Sequence, residues 1–182
     1  MTFTIRLAEP GDAAALAEIY APYVRELPTS FELEPPDAAE MAARVARTRA
    51  QWPWLVAEEG GQALGYCYAG AFAERPAYRW SVTTTVYVRP GHQRGGLGRQ
   101  LYTRLFELLR RQGAVRAFAG ITLPNEASVG LHRALGFEPV GVYPQVGFKL
   151  GRWWDVAWYG LALREVKTDE SPGELRSVSD LS

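Results

Sequence analysis

Thr83-Thr84-Thr85-Val86-Tyr87-Val88-Arg89-Pro90-Gly91-His92-Gln93-Arg94-Gly95-Gly96-Leu97-Gly98-Arg99 reads as a strand, a glycine-rich turn and the opening of a helix. The Thr, Val and Tyr run suits a pleated, half-buried surface, and Pro90-Gly91-His92 ends it. Beyond the turn, Leu101, Leu105, Leu108 and Leu109 share one helical face. A helix that starts on glycines offers free backbone amides and the positive end of its dipole, which together favour a phosphate. A nucleotide P-loop would need Gly-Lys-Ser/Thr at this point and a dinucleotide site Gly-x-Gly-x-x-Gly; neither spacing is present. Taken alone, the glycines could equally make an ordinary tight turn.

Upstream of this junction, Phe3, Ile5 and Leu7 alternate as a short strand, and apolar residues at helical spacing run from Ala15 to Tyr23, before Pro28. Pro35-Pro36-Asp37 opens a second helix reaching about Arg49, and Gly60-Gly61 joins two apolar runs as a hairpin. Downstream, Ala117 to Leu123 reads as a strand, Asn125 to Leu135 as a short helix, and Val140 to Val146 with Asp155 to Leu163 as closing strands. The order implies a mixed α/β (α+β) domain over residues 1–165. Residues 166–182 are polar, include Ser171-Pro172-Gly173, and are expected to fray as a disordered tail.

With 182 residues, 47% of them hydrophobic, one core is the default. Twenty basic and twenty acidic side chains cancel, so no overall field recommends nucleic acid or an anionic membrane as partner. The single cysteine, Cys67, cannot close an internal disulfide; in its strand it reads as a small buried apolar residue. The first residues read neither as a leader nor as a spanning segment, so a reducing cytoplasm is expected. Two histidines and one cysteine without ligand spacing argue against a metal.

Val86-Tyr87-Val88 followed by Gln93-Arg94-Gly95-Gly96-Leu97-Gly98 resembles the coenzyme-binding signature of the Gcn5-related N-acetyltransferase (GNAT) superfamily. Asn125-Glu126-Ala127-Ser128 with Leu131-His132-Arg133-Ala134-Leu135-Gly136-Phe137 resembles its second signature. Tyr20-Ala21-Pro22-Tyr23, Ser30-Phe31-Glu32, Tyr78-Arg79-Trp80-Ser81-Val82, Leu101-Tyr102 and Lys149-Leu150-Gly151-Arg152-Trp153 are similar to segments of phosphinothricin and arsinothricin N-acetyltransferases. The likeness runs from about Ile5 to Leu163.

The resemblance implies a strongly bent mixed sheet with splayed central strands, helices on both faces, and acetyl-CoA in the opening. Val86, Tyr87 and Val88 would meet the pantetheine arm, with a strand amide near Val86 polarising the thioester carbonyl. Arg94, Gly95, Gly96, Leu97, Gly98 and Arg99 would hold the pyrophosphate. Asn125 and Ser128 would meet the arm too, or merely cap their helix. A small amino-acid-like amine would lie against Phe31, Glu32, Arg75, Tyr78 and Trp80, although either Arg75 or Arg79 could be an ordinary surface charge. A homodimer is also implied.

The chain departs from its relatives at Thr83, where they carry an acidic residue. A threonine hydroxyl is no base near neutral pH, and a general base contributes about 10²- to 10⁴-fold. An α-amine of pKa near 8 is nevertheless about one-tenth neutral at pH 7. Thr83 could hold a water that hands the proton toward Glu32, and His132 could face the coenzyme sulfur and protonate the thiolate, or simply pack. Other acceptors within this reading are methionine sulfone or sulfoximine, a polyamine or a protein N-terminus. Outside it stands an acyl-CoA-binding module with weak or no catalysis.

Overall fold

A computed structural model describes residues 3–93 and 95–181. Its elements run β1 (Thr4–Leu7), α1 (Ala13–Arg25), α2 (Ala38–Arg49), β2 (Trp54–Glu59), β3 (Gln62–Ala71), β4 (Ser81–Val88), α3 (Leu97–Gln112), β5 (Arg116–Leu123), α4 (Glu126–Ala134), β6 (Glu138–Lys149) and β7 (Arg152–Ala162). The seven strands form one sheet in the order β1-β2-β3-β4-β5-β7-β6, mixed because β4 and β5 are parallel and the other pairs antiparallel.

Each face of the sheet carries its own core. On one, Leu101, Leu105 and Leu109 of α3 are fully buried against Cys67, Val82, Ala117 and Ile121. On the other, Leu16, Ile19 and Val24 of α1 and Met41 and Val45 of α2 cover Trp54, Val56 and Tyr66. Each such aliphatic side chain contributes about 1.5–3 kcal/mol by leaving water. The helix ends follow local chemistry. Asp37 caps α2 by accepting from the Glu40 amide at 2.8 Å, and α3 is bracketed by Gly96 and Gly113, at φ +77° and +102°.

The feature that makes the site is the β4–β5 pairing. It lasts only for Ser81↔Arg116, Val82↔Ala117 and Thr83↔Phe118, after which the two strands part. β3 stays paired with β4 as far as Val88, and β7 stays with β5 as far as Leu123. The opening is therefore a wedge between two intact half-sheets.

Two expectations about the C-terminal half need correction. The closing strands are longer than the alternation suggested and meet in a two-residue turn, Leu150-Gly151, with φ of +51° and +76°. Leu-Gly lacks the Asn-Gly signal of such turns. The segment expected to fray is packed instead: Val178 and Leu181 are buried, Leu175 lies against the same core, and the Arg176 amide donates to Gln112 O at 2.9 Å. Average polarity concealed three apolar residues spaced three apart, which land together beside the end of α3.

Candidate active site

The wedge opens into a cavity of about 1410 Å³ that passes from the α3/α4 face to the α1/α2 face of the sheet. β4 forms one wall. Arg89 N–H bonds back to Leu64 O and Ser81 O accepts from Phe72 N–H, so odd-numbered residues of β4 spend their backbone groups on β3. Backbone groups alternate along a strand, so the N–H and C=O of Val86 point into the wedge, beyond the last residue β5 pairs. The Val88 carbonyl faces the same way and accepts from the Tyr23 hydroxyl at 2.6 Å. An extended amide-bearing chain can add to this edge as a strand would.

At the end of that wall, α3 begins on Gly96 without a side-chain cap, and its first helical bond runs from Gln100 N–H to Gly96 O. The amides of Leu97, Gly98 and Arg99 thus lack partners within the helix and face a cavity that all three residues line. Gly98 sits in a tight place. A Cβ there would touch Leu131 at 3.4 Å and Val86 and Val88 at 3.9 Å. Together the strand edge and the helix start suit a pantetheine arm followed by a pyrophosphate.

α4 supplies the opposite wall. Asn125 Oδ1 accepts from the Ser128 amide at 3.0 Å, so the capping reading of Asn125 holds while the residue also lines the cavity. His132 is buried, with ring contacts to Tyr102 and Phe137. Its Nδ1 lies 2.7 Å from the Ser128 carbonyl, which can only accept, so Nδ1 carries the proton and Nε2 presents a lone pair. Nε2 is buried and has no hydrogen-bond partner among the described residues. Burial holds the His132 pKa below the ordinary 6.5, and the Ser128 bond offsets this only in part. A neutral imidazole in this tautomer accepts a proton at Nε2, which is the reverse of the donor role expected from sequence.

On the α1/α2 face, Phe31 and Glu32 line the cavity with Tyr20, Ser30 and Tyr87. Glu32 accepts from Arg44 at 2.6 and 3.1 Å and from the Tyr20 hydroxyl at 2.9 Å. Burial alone would raise its pKa, but the Arg44 and Tyr20 bonds outweigh it and hold the carboxyl below its usual 4.5. Lys149, buried at the end of β6, donates to Ser30 O, and its ammonium is itself pushed down by burial. The Phe31 ring lies directly on Gly147, where a Cβ would overlap it.

Of the residues predicted from sequence, Val86, Tyr87, Val88, Gly96, Leu97, Gly98, Arg99, Asn125, Ser128, His132, Phe31 and Glu32 line this one cavity. Gly95 is exposed just before it, and Arg94 falls outside the described residues. Arg75, Tyr78 and Trp80 are not brought to it. Arg75 and Tyr78 are exposed on the β3–β4 connection, and the Trp80 indole N–H donates to Gly173 O at 2.8 Å while Arg79 stacks on its ring. Thr83 does not line the cavity either; its hydroxyl turns back to Gly70 O at 3.5 Å. Tyr20, Tyr23, Arg44 and Lys149 were not assigned roles from sequence. Tyr20 and Tyr23 read there as part of a helical apolar stripe, and no local signal marks Arg44.

The family model for the acetyltransferase (GNAT) domain matches residues 5–158. The chain belongs to the GNAT acetyltransferase family. As a GNAT enzyme it is an N-acetyltransferase that uses acetyl-CoA. The chain is 42% identical to a phosphinothricin N-acetyltransferase of Streptomyces coelicolor over 162 residues, covering 81% of this chain and 89% of that one. It is 40% identical to the L-methionine sulfoximine/L-methionine sulfone acetyltransferase of Salmonella typhimurium, over 89% of this chain and 95% of the other. A solved GNAT phosphinothricin acetyltransferase from Sinorhizobium meliloti, in complex with acetyl-CoA, superposes with a TM-score of 0.90 at 38% identity, covering 96% and 95% of the two chains.

Proposed function

We propose that this N-acetyltransferase moves the acetyl group of acetyl-CoA to the amine of a small amino-acid-like acceptor of the phosphinothricin or arsinothricin type, by direct attack in a ternary complex. The observation that carries the proposal is the cavity's passage through the sheet. The uncapped α3 amides and the Val86 edge lie toward one face, and the aromatic and charged set of Tyr20, Phe31, Glu32 and Tyr87 toward the other. Coenzyme and acceptor can therefore enter from opposite faces and meet at Val86, whose N–H would stabilise the oxyanion as the amine attacks the thioester carbon. Cys67 takes no covalent part in this scheme: it is fully buried and burial pushes its thiol pKa up.

Methionine sulfoximine or sulfone is the second reading, favoured by 40% identity to such an enzyme against 42% to a phosphinothricin enzyme. The experiment is a panel of phosphinothricin, arsinothricin, methionine sulfoximine, glutamate and spermidine, compared by kcat/KM. A preference for either anionic analogue supports the first acceptor class, a preference for the sulfoximine supports the second, and a preference for spermidine refutes both. Coenzyme binding without turnover on any amine would instead identify an acyl-CoA-binding module.

The β6–β7 hairpin carries Val140, Tyr143, Val146, Phe148 and Trp153, each residue more than half exposed. Apolar area of this kind is best covered by a second copy, and a homodimer is our reading of it. No described helix is long and apolar enough to cross a membrane. A cytoplasmic location supplies acetyl-CoA and keeps the lone Cys67 reduced.

A further inference from the structure

Thr83 carries no carboxylate and its hydroxyl turns back to Gly70 O, so it offers the acceptor's proton no base, and the structure offers another route across the cavity. The Tyr20 hydroxyl lies 2.9 Å from Glu32 Oε1 and 2.6 Å from Ser30 Oγ, and it also interacts with the Tyr87 hydroxyl. The Tyr20 and Tyr87 rings are 4.8 Å apart, and Tyr20, Tyr87, Ser30 and Glu32 all line the cavity. Glu32 as a carboxylate can only accept, so the single Tyr20 proton is directed to it, Ser30 Oγ then donates to the Tyr20 oxygen, and one lone pair is left there, which a donor from the cavity shares with the Tyr87 hydroxyl. Arg44 fixes both Glu32 oxygens, and Lys149 fixes the Ser30 carbonyl from behind. The hydroxyl is thus oriented in one direction, from cavity to carboxylate.

We propose that Tyr20 relays the proton of the acceptor's ammonium to Glu32. The inference rests on the acetyl-transfer reading above. In the step, the ammonium N–H bond breaks and its proton goes to Tyr20 Oη, while the Tyr20 proton passes to Glu32 Oε1. The freed electron pair of the amine attacks the thioester carbon, the carbon–sulfur bond breaks, and the coenzyme leaves as a thiolate that takes the second proton from the attacking nitrogen. The Glu32 acid returns its proton to water at its exposed edge. Tyr20 ends with one proton, as it began.

The groups that face this pair are Tyr23 of α1, Tyr66 and Tyr68 of β3, Tyr87 of β4, Arg44 of α2 with its second partner Glu40, and Lys149 of β6. The carboxylate among them that reaches Tyr20 is Glu32. Burial pushes the Tyr20 hydroxyl up to about 12, so it does not titrate near neutral pH and can act only by passing a proton on.

The test is the pH profile of kcat/KM for the acceptor in Tyr20→Phe, which keeps the ring and removes the relay atom. At about pH 7 the variant is expected to lose about 10²-fold, a general-base effect, with the deficit shrinking to a few-fold near pH 9.5, where the amine is already neutral. The KM for acetyl-CoA should not move. Glu32→Gln, which preserves shape, should show the same pH signature, so the proposal remains testable if Tyr20→Phe folds poorly. A Tyr20→Phe or Glu32→Gln profile parallel to wild type, whether lowered uniformly or unchanged, overturns the relay while leaving acetyl transfer intact. Absence of wild-type turnover on every amine overturns the transfer reading itself and the relay with it.

Discussion

Gly65→Ala should loosen the coenzyme wall of the wedge without touching a reacting group. Gly65 of β3 stands opposite Val88, and a Cβ placed on it would lie 2.8 Å from Tyr87 O and 3.3 Å from Val88 Cα. Both are backbone atoms of β4, so they cannot swing aside as the Leu97 methyl at 3.4 Å could. Overpacking of this kind costs about 1–3 kcal/mol, and the alanine returns about 0.5–1 kcal/mol of chain entropy. A net loss of about 1–2 kcal/mol lowers the Tm of a chain this size by about 2–8 °C. The displaced residues carry the strand edge beside Val86 and the Val88 carbonyl bound by Tyr23, so the KM for acetyl-CoA should rise with the fall in Tm. Differential scanning calorimetry and initial rates would read both. The control is Gly130→Ala, in mid-α4 with nothing within 4 Å, which should gain about 0.8–1 kcal/mol from helix propensity. An unchanged Tm and KM in Gly65→Ala would refute the claim that β3 backs the β4 edge this closely.

His132 has a folded-state pKa below 6.5, so the unfolded chain binds the proton first as pH falls, and stability should decline below about pH 6.5 until the folded-state value is passed. Urea midpoints across that window should fall for wild type and hold nearly level for His132→Gln; equal slopes would mean that His132 is not buried as a neutral ring. Leu181→Ala should cost about 2–4 kcal/mol in denaturant unfolding, because the side chain is 2% exposed against the main core. No change there would return the C-terminal segment to the disordered tail its composition suggested.

The sequence was most informative where function is local to the chain. A strand ending at Val88, Gly96 before Leu97 and an Asn125 cap before Ser128 each carry their chemistry within a few residues, and all fall on one cavity. It was least informative where partners are distant. Trp80 reads from sequence as a pocket wall, but its indole bonds to Gly173, 93 residues away, and Glu32, read there as a proton acceptor in the pocket, has both its oxygens held by Arg44. Lys149 is held to Ser30 across 119 residues, a pairing no local pattern encodes. His132 shows a subtler gap: its position was legible, but its tautomer, and hence whether it gives or takes a proton, depends on the 2.7 Å contact to Ser128 O.

The most direct test of the central claim is thiol release from acetyl-CoA by the purified chain, with and without phosphinothricin or methionine sulfoximine, at varied concentrations of both substrates. The account predicts amine-dependent release matched one for one by N-acetyl product, with intersecting initial-velocity lines that mark a ternary complex. Parallel lines, which would mark an acetyl-enzyme, or thiol release that ignores the amine, would contradict it.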